Sequence, residues 1–141
     1  MKLLKKILNN VISDSSEVLT EDKDISKYLK GTEGFDIFDN KRRTILAAVK
    51  ICFEWEIKKI IDLANEYSKD PELSFSIYPI STGNNWGYGT SQPASTDKNI
   101  VILDLINLNK IIFFDEELGL VTVEPGVTQK ELSDYLIKGK Y

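Results

Sequence analysis

The feature that most constrains this chain is a pattern of strand, helix and strand between Thr44 and Ile80. The run TILAAVKIC (Thr44–Cys52) is short and apolar, as suits a buried strand. EWEIKKIIDLANEY follows, with Ile57, Ile60, Ile61 and Ala64 at helical spacing and Glu54 four residues before Lys58. After SKDPEL, the run SFSIYPI sets Phe75 and Ile77 against Ser74, Ser76 and Tyr78, the alternation of a second strand. Strand, helix and strand in about 36 residues is the pattern of a βαβ unit, whose two strands should be parallel and whose crossover should be right-handed.

The flanking sequence is simpler. Leu3, Leu4, Ile7, Leu8 and Val11 form the stripe of an amphipathic helix. The stripe has no Trp or Phe, which favours packing against the domain over lying on a membrane. Residues 13–40 are polar, with GTEGFD (Gly31–Asp36) marking a loop and a short helix expected over Lys23–Lys30. Downstream, NIVILDL (Asn99–Leu105) is a third buried strand. KIIFF and LVTVE flank the turn DEELG (Asp115–Gly119) as a hairpin. Pro125 and Gly126 then break the strand, and Thr128 with Glu131 forms a capping box for a last helix with Leu132, Tyr135 and Leu136 on its inner face.

Composition removes several chemistries. The 141 residues suit one domain with a real core, and a net charge of −4 without a basic block advertises neither nucleic acid nor an anionic membrane. Histidine is absent, so an imidazole base, a Ser-His or Cys-His pair and a His-ligated metal are excluded within these residues. The lone Cys52 cannot form an internal disulfide and reads as a buried, inert thiol. The start, MKLLKKILNN, has no uninterrupted apolar core, so neither a signal peptide nor a membrane span is read there. A cytoplasmic location is the expectation.

The chemistry should lie in the loop that leaves the second strand, STGNNWGYG (Ser81–Gly89), because parallel sheets place ligands at the C-terminal ends of their strands. It is not a Walker loop: Tyr88 stands five residues after Gly83 and no lysine follows. Nor is it a dinucleotide fingerprint, since Gln92 occupies the third glycine position and SQPASTDK cannot open a helix there. Two readings stay open on physical grounds. Gly83, Gly87 and Gly89 permit positive φ and close approach of main-chain amides to an anion, with Ser81, Thr82, Asn84 and Asn85 as neutral donors. The alternative is a long structural turn.

The blocks YPISTGNNWGYGTSQP, VILDLINLNKII and VTVEPGVTQKELSDYL, in this order and spacing, resemble the FAD-binding domain of the vanillyl-alcohol oxidase and p-cresol methylhydroxylase family. The resemblance covers Thr44–Tyr141 and is weaker before it. It implies an α+β fold: the first subdomain of a PCMH-type FAD-binding domain, a small sheet built on the βαβ unit plus a hairpin and flanked by helices. Residues 1–43 would be a helical and polar lead-in, and 44–141 the N-terminal part of the domain. By position, Ser81, Thr82, Gly83, Asn84 and Asn85 would lie nearest the FAD pyrophosphate, with Gly87, Tyr88 and Gly89 continuing that wall. Trp86 and Tyr88 serve equally as packing or contact. Pro125, Gly126 and Val127 would be the second segment at the cofactor, and Asp104 and Leu105 would pack beneath it.

The resemblance also implies a flavin-dependent oxidoreductase in which a small alcoholic or phenolic substrate passes hydride to the flavin. Asn85 stands where the berberine-bridge branch carries a flavin-linking histidine, so FAD held by this chain would be non-covalent. Family members run several hundred residues, and the rest of the FAD domain and the substrate domain have no counterpart here. No catalytic base is named within the chain. Glu124 and Asp104 are read as strand-end residues. The alternative is a stand-alone or degenerate FAD-binding-fold module without catalysis of its own, acting with a partner chain. Self-association is expected from apolar surface left uncovered.

Overall fold

The computed structural model describes residues 2–29, 45–83 and 99–139. Their elements are α1 (Lys2–Asn9), β1 (Glu17–Leu19), α2 (Asp22–Ile25), a 3-10 turn (Ser26–Leu29), β2 (Ile45–Lys50), α3 (Trp55–Glu66), β3 (Ser76–Ile80), β4 (Ile100–Asp104), β5 (Ile111–Asp115), β6 (Leu120–Val123) and α4 (Gln129–Gly139). The first four strands form one sheet in the order β1-β2-β4-β3, and β5 and β6 form a separate hairpin. β2 and β3 both run parallel to β4, and β1 closes the far edge antiparallel to β2.

The βαβ unit is therefore present with β4 inserted between its two strands. Pro79 explains part of this order. It has no N–H to donate, so β3 is suited to an edge, while the uninterrupted apolar β4 takes the centre. Local patterning carries no information about such an insertion. The three-residue β1 was hidden in the polar lead-in for a similar reason: Glu-Val-Leu is too short to alternate visibly.

Each face of the sheet is covered. Val49, Ile51, Val101 and Leu103 pack with Ile60 and Leu63 of α3 and with Leu4 and Leu8 of α1. On the opposite face, Leu19, Ala48, Ile100 and Ile102 pack with Tyr28, brought there by the 3-10 turn. The N-terminal stripe thus serves the domain core, with only Leu3 left exposed. Burying each of the larger aliphatic side chains contributes about 1.5–3 kcal/mol, so this two-sided core is the main source of stability.

Smaller expectations divide. The helix expected over Lys23–Lys30 is four α-helical residues followed by the 3-10 turn. On α3 the i,i+4 ion pair joins Lys58 to Asp62, because Glu54 precedes the helix proper. The capping box forms as read: Thr128 N–H and Oγ1–H each donate to Glu131 Oε2 at 2.7 Å, and Glu131 N–H donates to Thr128 Oγ1 at 3.2 Å. Leu132 and Leu136 are half-buried on α4, but Tyr135 is exposed.

Candidate functional site

The C-terminal ends of the parallel strands bring several loops to one edge of the sheet. Lys50, Asp104 and Ile80 are register neighbours across β2, β4 and β3, and Glu17 of β1 stands opposite Lys50. Ile80 leads into Ser81–Gly83, and its carbonyl accepts the N–H of Leu105 at 2.9 Å. Leu105 opens a turn in which the Leu108 N–H donates to the Leu105 carbonyl at 3.0 Å. The Leu108 carbonyl then accepts the N–H of Gly126 at 2.7 Å. Two segments distant in sequence, Ser81–Gly83 and Pro125–Val127, are thereby tied to one turn.

Their glycines are required for different reasons. Gly83 has φ of +72°, a left-handed conformation that side chains rarely adopt, and among the described residues no atom lies within 4 Å of where its Cβ would stand. Gly126 faces inward. A Cβ there would meet the Ile106 carbonyl oxygen at 2.5 Å and that of Leu108 at 2.7 Å. The N–H groups of Gly126 and Val127 are taken by Leu108 and Glu124, and proline has none. Pro125–Val127 can therefore offer apolar contact to a ligand, whereas amide donors must come from the glycine loop. Of that loop, Asn84, Asn85, Trp86, Gly87, Tyr88 and Gly89 lie outside the described residues.

Asp104 is the charged residue at the centre of this edge and is 4% exposed. Its Oδ2 accepts the Tyr28 hydroxyl at 2.6 Å, and its Oδ1 accepts the Ile106 N–H at 3.1 Å. Its main-chain carbonyl accepts Ile51 N–H at 3.2 Å. Burial, reinforced by the Asp104 carboxylate, pushes the Tyr28 phenol far above its ordinary pKa, so it remains a donor. Lys27 lies over the Tyr28 ring, 4.5 Å from its centroid. Partial burial and then the nearby Lys50 lower the Lys27 pKa, against the pull of Asp104 and Glu17.

Beside this edge, Glu56 is a fully buried carboxylate in the first turn of α3. Its Oε2 accepts Cys52 N–H at 2.9 Å, Phe53 N–H at 2.8 Å and Ser16 Oγ–H at 2.8 Å, while Oε1 accepts Ser13 N–H at 2.7 Å. Burial alone would raise its pKa, but these bonds outweigh that and hold it below the usual carboxylate range. Cys52 is half-buried rather than enclosed, with its thiol donating to the Ser15 carbonyl at 3.1 Å. Glu124 caps the hairpin entry by accepting Lys110 N–H at 2.7 Å, the strand-end role read for it.

Sequence reasoning missed Tyr28 and Glu56. Glu56 had a local signal, because an acid in the first turn of a helix can fold back onto the free amides that start it, here those of Cys52 and Phe53. Tyr28 had none, since its partner lies 76 positions away.

Comparison with known proteins decides the family. The profile of the FAD binding domain matches residues 47–141. The chain belongs to this FAD-binding domain family. The chain is also similar in fold to solved structures. A p-cresol methylhydroxylase with substrate bound matches at TM-score 0.79 and 29% identity, over 99% of this chain and 25% of that one. A 4-ethylphenol oxidase from Gulosibacter chungangensis matches at TM-score 0.79 and 23% identity over 99% and 24%, which supports the fold alone. Among curated relatives, the flavoprotein subunit of 4-cresol dehydrogenase (hydroxylating) from Pseudomonas putida is 36% identical over 98 residues, 70% of this chain and 17% of that protein. A 1'-carboxy-chondrochloren decarboxylase from Chondromyces crocatus is 40% identical over 81 residues, 57% and 14% respectively. The chain thus spans less than a fifth of the length of these curated relatives. The PCMH-type assignment, the mixed α+β fold and FAD as the cofactor all follow from these matches.

Proposed function

We propose that this chain is the N-terminal FAD-binding part of a flavin-dependent oxidoreductase acting on a small phenolic or alcoholic molecule. The observation that carries the cofactor placement is Gly83, left-handed where β3 leaves the sheet and with no atom of the described residues near its Cβ side. In this reading Ser81, Thr82, Gly83, Asn84 and Asn85 hold the pyrophosphate through neutral donors, and Trp86, Gly87, Tyr88 and Gly89 extend that wall. Pro125 and Val127 give apolar contact, and Gly126 lets the two backbones meet. Without histidine in the sequence, the hold from these residues is non-covalent. Bound FAD would supply the two-electron acceptor for oxidation of the substrate. The substrate class is supported by the names of two relatives, 4-cresol dehydrogenase and p-cresol methylhydroxylase.

A second reading is favoured by one observation. Ile112, Phe113, Leu118, Leu120 and Ile137 are each at least 60% exposed, in a hairpin and helix that bury little. A partner surface, from further domain sequence or another chain, would complete the site there, the present chain being a binding module without catalysis of its own.

Flavin specificity tests the pyrophosphate reading. Fluorescence titration should show FAD binding more tightly than riboflavin by about tenfold or more, since riboflavin lacks the phosphates that the loop engages. Acid precipitation should release all bound flavin. Equal affinity for both flavins would overturn the loop assignment, and flavin retained in the pellet would overturn the non-covalent hold.

A further inference from the structure

A residue from the segment that precedes the family match reaches the candidate site. Tyr28, 6% exposed, arrives on the 3-10 turn and donates to the buried Asp104 carboxylate at 2.6 Å. The other oxygen of that carboxylate accepts Ile106 N–H, and Ile106 lies in the turn whose backbone seats Gly126. Asp104 also ends the central strand. The residue after it is bonded to Ile80, immediately before the glycine loop. A single carboxylate therefore fixes the geometry from which both proposed cofactor segments depart. Among the described residues, the tyrosine supplies the side-chain donor to its Oδ2.

From this arrangement we propose that Tyr28 is a positioning residue for the cofactor cradle: its hydroxyl locks Asp104, which sets the Leu105–Leu108 turn and, through it, Pro125–Val127. Without the hydroxyl, the buried carboxylate loses a strong partner and turns toward other donors. The turn then samples conformations in which Ile106 N–H is released and Gly126 is less firmly seated. The core face that holds α1 and α3 is on the other side of the sheet and should not respond. The consequence for FAD rests on the pyrophosphate reading above. The consequence for the turn does not.

Two measurements on the full chain, wild type and Tyr28→Phe, separate these levels. Amide hydrogen exchange without flavin should show faster exchange at Ile106 and Gly126 by about tenfold, matching loss of one charge-assisted hydrogen bond. Exchange within α3 should stay unchanged. Unchanged exchange at Ile106 and Gly126 would overturn the lock, whether or not any flavin binds. In the FAD titration, the variant should bind about tenfold more weakly and show altered visible circular dichroism of the bound flavin. Faster exchange with unaltered FAD affinity and spectrum would overturn the positioning role while leaving the hydrogen bond itself. Absence of binding by the wild type would instead count against the functional reading, with the exchange result still deciding the lock. Asp104→Asn, which keeps a carbonyl acceptor without the charge, should reproduce the exchange pattern at smaller amplitude. An opposite change there would also overturn the lock.

Discussion

The four-stranded body and the hairpin with its following helix solve the same problem differently. In the body, β4 is buried along its whole length and both faces of the sheet are covered by elements drawn from within the chain. In the hairpin arm, Ile112 and Phe113 are exposed and α4 has no buried residue. The arm is held instead by main-chain bonds, Gly126 to Leu108 and Glu124 to Lys110, and by the glycine that lets two backbones touch. The body therefore stands on its own hydrophobic core. The arm is ordered by turn chemistry and keeps its apolar surface available for a partner.

The largest break should come from inside the body. Replacing Glu56 by alanine removes the acceptor of Ser13 N–H, Phe53 N–H and Ser16 Oγ–H, while Cys52 N–H keeps Ser16 Oγ at 2.9 Å, and should cost about 3–4 kcal/mol in denaturant unfolding. The same carboxylate predicts an acid limb. Its folded pKa lies below the unfolded one, so its contribution is complete above the ordinary carboxylate pKa of about 4.3. That contribution is lost as pH falls through the lower folded value. Glu56→Gln should flatten this limb, and an unchanged pH profile would contradict the assignment.

The joint between the two regions comes next. Gly126→Ala forces a Cβ against two carbonyl oxygens and should cost about 2–3 kcal/mol, with the arm loosening before the body. Proteolysis confined to residues after Val123 would report that order. An alanine variant as stable as wild type would mean the backbones are not in the contact described.

A smaller effect belongs to the alkaline side. Tyr28 has a folded pKa raised above its unfolded value of about 10, so its contribution is complete below pH 10 and declines as the unfolded chain ionises above it. Tyr28→Phe should remove that part of the alkaline decline in stability. Least of all, exchanging Ile112 and Phe113 for serine should change unfolding free energy by less than about 0.5 kcal/mol while reducing any self-association in sedimentation. A large loss of stability would show that the arm has a core of its own.

The legibility of the chain follows the same division. Elements defined by local pattern were readable: the apolar β4, the Thr128–Glu131 box, and the α3 stripe at Ile57, Ile60 and Ala64, although Ile61 of that stripe is exposed and Leu63 is buried instead. What depends on distant partners was not. The insertion of β4 between β2 and β3 leaves no trace in either strand. The 3-10 turn carrying Tyr28 looks like any polar lead-in until its hydroxyl is placed on Asp104. Gly126 was read as a cofactor contact, and the structure adds a packing reason for the glycine that its sequence context could not supply. Within the glycine loop, Gly83 was readable because a left-handed exit from a strand calls for this residue type.

The central claim is that the loop opened by Gly83 holds the pyrophosphate of FAD. Calorimetric titration of the full chain with FAD, beside Gly83→Val, tests it most directly. No atom of the described residues would meet a Cβ at Gly83, so the substitution strains φ locally and leaves the described core intact. The account predicts saturable binding by the wild type and its loss in a variant that still unfolds cooperatively. Equal binding by both, or no binding by the wild type at high micromolar FAD, would contradict it.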